Sequence, residues 1–194
     1  MERYKDFTVH PERFPDLAGL SSDMKKEGIH LVPIIDAGVR IEEGYEVYEE
    51  GVEKGYFCKD AEGKDFVAAV WPGLVHFPDF LDHEARAWFG SKYEALTSLG
   101  IDGFWNDMNE PAIFYTPKRL EKARQAIAET SDGNLCIEEL NLLLDQVKTL
   151  NNNREDYDSF YHKVNGKMVR HGDVHNLYGM NMTRAAYEGL KKIE

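Results

Sequence analysis

Apolar positions recur along this chain with two periods, and the alternation between them carries the first structural reading. Leu17, Leu20 and Met24 fall at helical spacing within Pro15 to Lys26, and Gly28 stands where a helix C-terminus closes. Ile29-His-Leu-Val-Pro-Ile-Ile35 follows, β-branched and almost continuously apolar. That pattern predicts a strand covered on both faces, as in a parallel sheet, ending at Asp36. A second helix is predicted over Asp82 to Leu99, with Ala85, Trp88, Phe89, Leu96 and Leu99 on one side and Gly100 as its stop. The strand Ile101 to Asn106 then runs into Asp107. Lys118 to Thr130 and Ile137 to Leu150 are helical in pattern, and Asn151 to Asp158 reads as an exposed turn. A last helix is predicted over Thr183 to Ile193, with Ala185, Ala186 and Leu190 facing inward.

Residues 37–80 break this order, being rich in Gly, Glu and aromatics with no sustained period except a short strand from Phe66 to Trp71. They form one excursion, inserted after the first strand, and residues 111–174 form a second after Asp107. Within them, the charge-rich Glu42 to Lys54 reads as a solvated face, and the Leu/Asn-rich run 134–153 carries no functional reading. Helix, strand, excursion, helix, strand, with each strand closing in a carboxylate, is the pattern of parallel βαβ units in an α/β protein, and ligands gather at such strand ends. No internal repeat is evident, and the 194 residues are read as belonging to one domain.

Composition narrows the class. With 42% hydrophobic residues the chain can bury a core. Lys plus Arg number 23 against 35 Asp plus Glu, a formal charge of −12, and so acidic a surface repels a phosphate backbone, which argues against nucleic acid as a partner. The longest apolar runs fall far short of the ~20 residues that span a bilayer, so no membrane role is expected. Cys58 and Cys136 are far apart in sequence and lack His or Cys neighbours at metal spacing, which indicates neither a disulfide framework nor a zinc site. Two free thiols and a start without a signal-like apolar stretch fit a cytoplasmic setting.

The candidate chemistry sits at the second strand end. Two carboxyl groups flank the scissile bond in a glycosidase, and in a retaining enzyme they stand ~5 Å apart so that one attacks the anomeric carbon. Asp107 suits the attacking role: it follows a strand, adjoins Trp105, whose indole can border a sugar, and precedes Asn109 and Glu110. Chemistry alone leaves this open, because an Asp at a parallel strand end is as readily the N-cap of the next helix.

Trp105-Asn-Asp-Met-Asn-Glu110 resembles the nucleophile signature of the family 31 glycoside hydrolases, the group of α-glucosidases and α-xylosidases. Ile34-Ile-Asp36 resembles the family's preceding barrel strand, and Val70-Trp-Pro-Gly73, Phe77-Pro-Asp79 and His175-Asn-Leu-Tyr-Gly179 match in the family's order, so that the resemblance spans the chain. It implies an α/β fold, part of a TIM (β/α)8 barrel comprising the third and fourth βα units and the two excursions. A closed barrel takes ~250 residues, and the resemblance makes this chain an interior slice. It further implies Asp107 as nucleophile, Glu110 in a supporting position, and Asp36 as an acid that hydrogen-bonds the sugar. By side-chain type and position, Trp71 beside Pro72 and Gly73, the Trp105 indole and the adaptable Met108 are candidate walls of the sugar pocket.

Asp36 also reads as a cap and Trp71 as a core aromatic, while for Glu110 the supporting role of bracing the nucleophile loop is favoured over direct proton transfer. His175 is placed with the substrate-binding candidates, or as a residue that caps or orients the helix it precedes. His171-Gly-Asp-Val-His175 has ligand types at spacings an ion can use, but one such motif is weak, and neither metal nor cofactor is expected. Asn181-Met-Thr matches a glycosylation sequon by chance.

The expected function is hydrolysis of terminal, non-reducing α-linked glucosyl residues through a glycosyl-Asp107 intermediate in a longer parent. The family's acid/base Asp matches no residue here, so the chain by itself is expected to be inactive. The alternative is a non-catalytic carbohydrate-binding or assembly fragment. Expected partners are an α-glucoside or oligosaccharide and, for exposed strand edges, the rest of a barrel or a second copy.

Overall fold

The computed structural model describes residues 1–130 and 133–193. In chain order the elements are α1 (Leu17–Lys26), β1 (Ile34–Asp36), β2 (Val39–Arg40), α2 (Glu46–Lys54), β3 (Lys59–Asp60), β4 (Ala68–Val70), β5 (Gly73–His76) and α3 (His83–Ser91). There follow α4 (Glu94–Thr97), β6 (Trp105–Asp107), α5 (Pro117–Glu129), α6 (Ile137–Lys148), α7 (Arg154–Tyr157), β7 (Phe160–Val164), β8 (Lys167–Arg170) and α8 (His171–Ile193).

Asp16 caps α1 by accepting the Gly19 N–H at 2.7 Å, and Gly28 closes it at φ +74°. β1 then pairs in parallel with β6, Ile34 opposite Trp105 and Asp36 opposite Asp107. The two expected strands are therefore adjacent, but shorter than their apolar runs. Pro33 has no N–H to give a ladder, although its carbonyl accepts the Trp105 N–H at 3.0 Å. Nor is the first run covered on both faces: Ile29, Val32 and Ile34 are exposed, because β1 has one neighbour and only the Ile35 side meets the core.

The first excursion is an antiparallel sheet in the order β2-β5-β4, with α2 beside it. Charge-rich residues 42–54 are more than a solvated face. Val47 and Gly51 of α2 are buried, and a Cβ on Gly51 would meet the Phe57 ring at 2.4 Å. The acids sit outward, where Glu50 bridges Lys54 and Lys92.

The predicted helix over 82–99 divides into α3 and α4, and at the division Tyr93 turns fully inward with its hydroxyl on Asn106 of β6. The second excursion carries α5 and α6 as expected. Residues 151–158 are not an exposed turn throughout, because Asp156 of α7 is buried between Thr116 (3.1 Å) and Arg119 Nε (2.7 Å). β7 and β8 form a hairpin at Asn165-Gly166, both at positive φ as a two-residue primed turn requires, and β3 completes that sheet. The last helix starts at His171 rather than Thr183, so His175 lies within it rather than before it. Asn181 is also inside α8, buried, with its amide donating to Leu177 O at 2.9 Å.

The core lies between the β1–β6 pair, the two small sheets and the α3–α8 pair. It is largely aromatic, with Phe57, Phe77, Phe80, Phe89, Tyr93, Phe160 and Tyr178 fully buried. Among the described residues no helix is long and apolar enough to cross a membrane.

Candidate active site

The register that sets Asp36 opposite Asp107 brings the two strand-end carboxylates side by side. Side chains alternate along a strand, so Ile34 and Asp36 leave β1 on the side opposite buried Ile35, and Trp105 and Asp107 leave β6 on the matching side. Trp105 stands 55% exposed beneath Asp107, an indole face free to meet a ligand. Partial burial, with the Asp107 charge next to it, pushes the Asp36 carboxyl up to about 6.

A polar layer underlies these strand ends. Asp6 is 2% exposed, and its Oδ1 accepts the Asp36 backbone N–H at 3.2 Å. Its carbonyl accepts from the Tyr45 hydroxyl at 2.9 Å. Burial drives the Asp6 carboxyl well above the usual carboxylate range, and among the described residues its Oδ2 has no hydrogen-bond partner. Sequence reasoning passed over Asp6, which lies in Tyr4-Lys5-Asp6-Phe7 outside any periodic element. Only its contact with Asp36 gives it meaning.

After Asp107 the chain turns sharply, with Met108 in the left-handed region at φ +54°, a conformation that costs a non-glycine residue about 1–2 kcal/mol. Met108 packs half-buried against the core. Gly179 of α8 supports the loop from behind, since a Cβ there would stand 3.0 Å from Asn109 O. Glu110 is exposed, and no hydrogen bond joins it to Asp107 among the described residues.

Trp71 sits at the β4–β5 turn, 56% exposed. Its ring meets Phe114 edge-on at 5.2 Å and Tyr4 in a stack at 6.3 Å. Backbone hydrogen bonds between Ala69 and the Phe114-Tyr115 pair tie this turn to the segment after the nucleophile candidate. The two excursions thus meet beside the strand ends, with Trp71 at their junction. His175 is half-buried, and its Nδ1 is held by His171 Nε2 at 2.9 Å.

Two side-chain groups have metal-ligand chemistry. Cys58, Asp79 and His162 place their ligand atoms within 4.8 Å of one another, all buried. Each is already bonded within the protein: His162 Nδ1 to Asp79 at 2.7 Å, Asp79 Oδ2 to Lys163 N at 2.6 Å, and Cys58 Sγ to Pro78 O at 3.6 Å. Asp173 of the His171-to-His175 motif is engaged by Arg170 at 2.7 Å. Cys58, Asp79 and His162 are thus bonded to one another and to the backbone, and the carboxylate of the second set is held by Arg170.

A model of the glycosyl hydrolases family 31 TIM-barrel domain matches residues 1–194. Alpha-glucosidase 2 of Bacillus thermoamyloliquefaciens is 36% identical over 193 residues, covering 100% of this chain and 20% of that protein. An alpha-glucosidase of Saccharolobus solfataricus is 31% identical over 192 residues, covering 98% and 25%. Among solved structures, a chain of the ER glucosidase II heterodimeric complex of catalytic subunit and regulatory-subunit binding domain superposes with a TM-score of 0.69 at 26% identity, covering 98% of this chain and 17% of that one. A family 31 alpha-glucosidase from Bacteroides thetaiotaomicron gives 0.64 at 28% identity, covering 100% and 25%. The chain therefore spans a quarter or less of the length of these relatives.

Proposed function

Because the chain belongs to glycosyl hydrolase family 31, as a stretch of its TIM-barrel domain, we propose that it carries the nucleophile half of a retaining α-glucosidase site. Asp107 attacks the anomeric carbon of a terminal α-linked glucosyl residue, the glycosidic oxygen leaves with a proton from a second carboxylic acid, and water later releases the sugar from Asp107. The observation that carries this reading is the register of β1 on β6, which sets Asp36 and Asp107 together above an exposed indole. Asp36, with its raised affinity for a proton, binds a sugar hydroxyl, and Trp71, Trp105 and Met108 wall the subsite. Glu110 supports the loop, and His175 acts from behind it.

In this reading β1 and β6 are the third and fourth strands of the barrel, and residues 37–80 and 111–174 are the insertions that follow them. The acid/base carboxyl belongs to another part of the domain, so this chain forms the glycosyl ester or binds sugar without completing a cycle. No cofactor enters the scheme.

The test is mass spectrometry after incubation with 5-fluoro-α-glucosyl fluoride, followed by peptide mapping. A 5-fluoroglucosyl adduct on Asp107, abolished in Asp107→Ala, is the expected result. An adduct on a different carboxylate, or none on a whole family 31 enzyme into which this segment has been grafted, overturns the assignment.

A further inference from the structure

Behind the nucleophile loop lies an unbroken line of four side chains. Asp79 Oδ1 is 2.7 Å from His162 Nδ1, His162 Nε2 is 2.9 Å from His171 Nδ1, and His171 Nε2 is 2.9 Å from His175 Nδ1. Asp79 and His162 are buried, as is His171, while His175 is half-exposed. We propose that Asp79, His162, His171 and His175 form one proton relay that positions α8 behind the Asn109 loop, and that a proton taken up at His175 charges buried His162 by switching His171 and His175 between tautomers.

The direction of each bond follows from the fixed donors around Asp79. The Lys163 N–H reaches its Oδ2 at 2.6 Å and the Leu81 N–H its Oδ1 at 3.2 Å, so the carboxylate accepts throughout and His162 must donate from Nδ1. A neutral His162 then accepts at Nε2, which requires His171 to donate from Nδ1, and the same step makes His175 donate from Nδ1. The one ring nitrogen left to receive a proton is His175 Nε2. When it binds one, the His175 Nδ1 proton passes to His171 Nε2, and the His171 Nδ1 proton passes to His162 Nε2. The charge then rests on His162 beside Asp79, while His171 and His175 are again neutral. This avoids a charge on His171, whose imidazole is held down to about 2 by burial and by the rings on either side.

The surroundings keep the line isolated. Cys58, next to β3, faces His162, and Tyr178 of α8 lies against His162 and His171; burial pushes both of their protons up, so neither supplies charge. Phe160 stacks on His171 at 4.2 Å. Tyr157 of α7 covers His171 and His175, and burial with Glu110 nearby pushes its hydroxyl up to about 12. Around the rim Lys59 is paired with Asp65, Lys163 with Asp82, and Arg170 with Asp158 and Asp173, while the Glu110 carboxylate faces Tyr157. The relay reaches the loop by two routes. Gly179 of α8 backs Asn109, and the Tyr157 hydroxyl donates at 3.0 Å to Asn152, whose Oδ1 also accepts the Ile113 N–H at 2.8 Å.

The test reads ring nitrogens directly. The chain with 15N-labelled histidine is followed by two-bond 1H–15N spectra between about pH 5 and 8, the range in which histidine changes charge. At the upper end, His162, His171 and His175 should all carry the Nδ1 proton. Acidification should move all three to the Nε2-protonated form with one shared midpoint, His162 alone becoming doubly protonated. In His175→Gln, whose amide still donates to His171 but has no proton to pass, the joint transition should be lost while the fold persists. The proposal is overturned if His175 becomes an imidazolium by itself while the other two rings stay unchanged, or if any of the three holds the other tautomer at pH 8.

The effect on catalysis rests on Asp107 being the nucleophile, and a separate measurement isolates it. The rate of 5-fluoroglucosyl labelling should change with the relay's midpoint in the wild-type chain and lose that dependence in His175→Gln. Absence of any labelling counts against the nucleophile reading and leaves the relay to be judged by the spectra.

Discussion

Asp36 shows how one residue's chemistry depends on the register of its strand. Desolvation is the larger cause of its raised pKa and the Asp107 charge the second. In Asp107→Asn the second cause disappears, so the Asp36 midpoint, followed by carboxyl 13C shifts, should fall below about 6 yet stay above the ordinary Asp value. An unchanged midpoint would mean that the two groups do not interact. The sign for stability follows. A folded-state pKa above the unfolded one means the folded chain binds more protons across that interval, so the Asp36 contribution weakens stability as pH rises from about 4 to about 6. At this scale Asp36, Trp105 and Asp107 were legible because each belongs to a contiguous strand motif. Asp6 was not, because only the fold brings it under Asp36.

α8 backs the loop after Asp107, and its packing on α3 admits no side chain at the crossing. A Cβ on Gly189 would lie 2.1 Å from Gly90 O, and one on Gly90 2.3 Å from Ala185 O, so both clashes are with backbone that cannot step aside. Gly189→Ala should cost about 3 kcal/mol in denaturant unfolding, at the upper end for an overpacked core. Gly172→Ala in the same helix meets only the Asp158 carboxylate end, which can rotate away, and should change stability by less than about 1 kcal/mol. Equal effects would show that the crossing is looser than its backbone distances imply. The first twelve residues of α8 were hidden in the sequence because His, Gly, Asp and Asn interrupt its apolar period, whereas the Ala185-Ala186 stretch displays it. The β7–β8 hairpin carried a readable mark, the Asn165-Gly166 pair between two short β-prone runs, and it lies in a region with little other pattern.

At the scale of the molecule, the apolar run from Ile29 to Ile35 is richer than a strand with one neighbour needs, and Ile29, Val32 and Ile34 accordingly meet solvent. Among the described residues β1 and β6 pair only with each other, which leaves an open edge on each, and beside them lies a largely apolar hollow of about 230 Å³ that Val9, Phe14, Leu17, Leu31, Val32 and Ile101 help to line. The sequence pattern thus predicts more cover than this two-stranded sheet has among the described residues. An apolar face next to unpaired edges favours association, either with further barrel strands or with a second copy, while the net charge of −12 opposes the second. Light scattering should therefore show a molar mass that rises with concentration, and rises further as salt screens the repulsion. Val32→Lys places a charge on that face and should return the chain towards the monomer, leaving the Asp36–Asp107 register intact as judged by the Asp36 titration. A wild-type chain that stays monomeric at high concentration and in salt would show that the exposed run does not drive association.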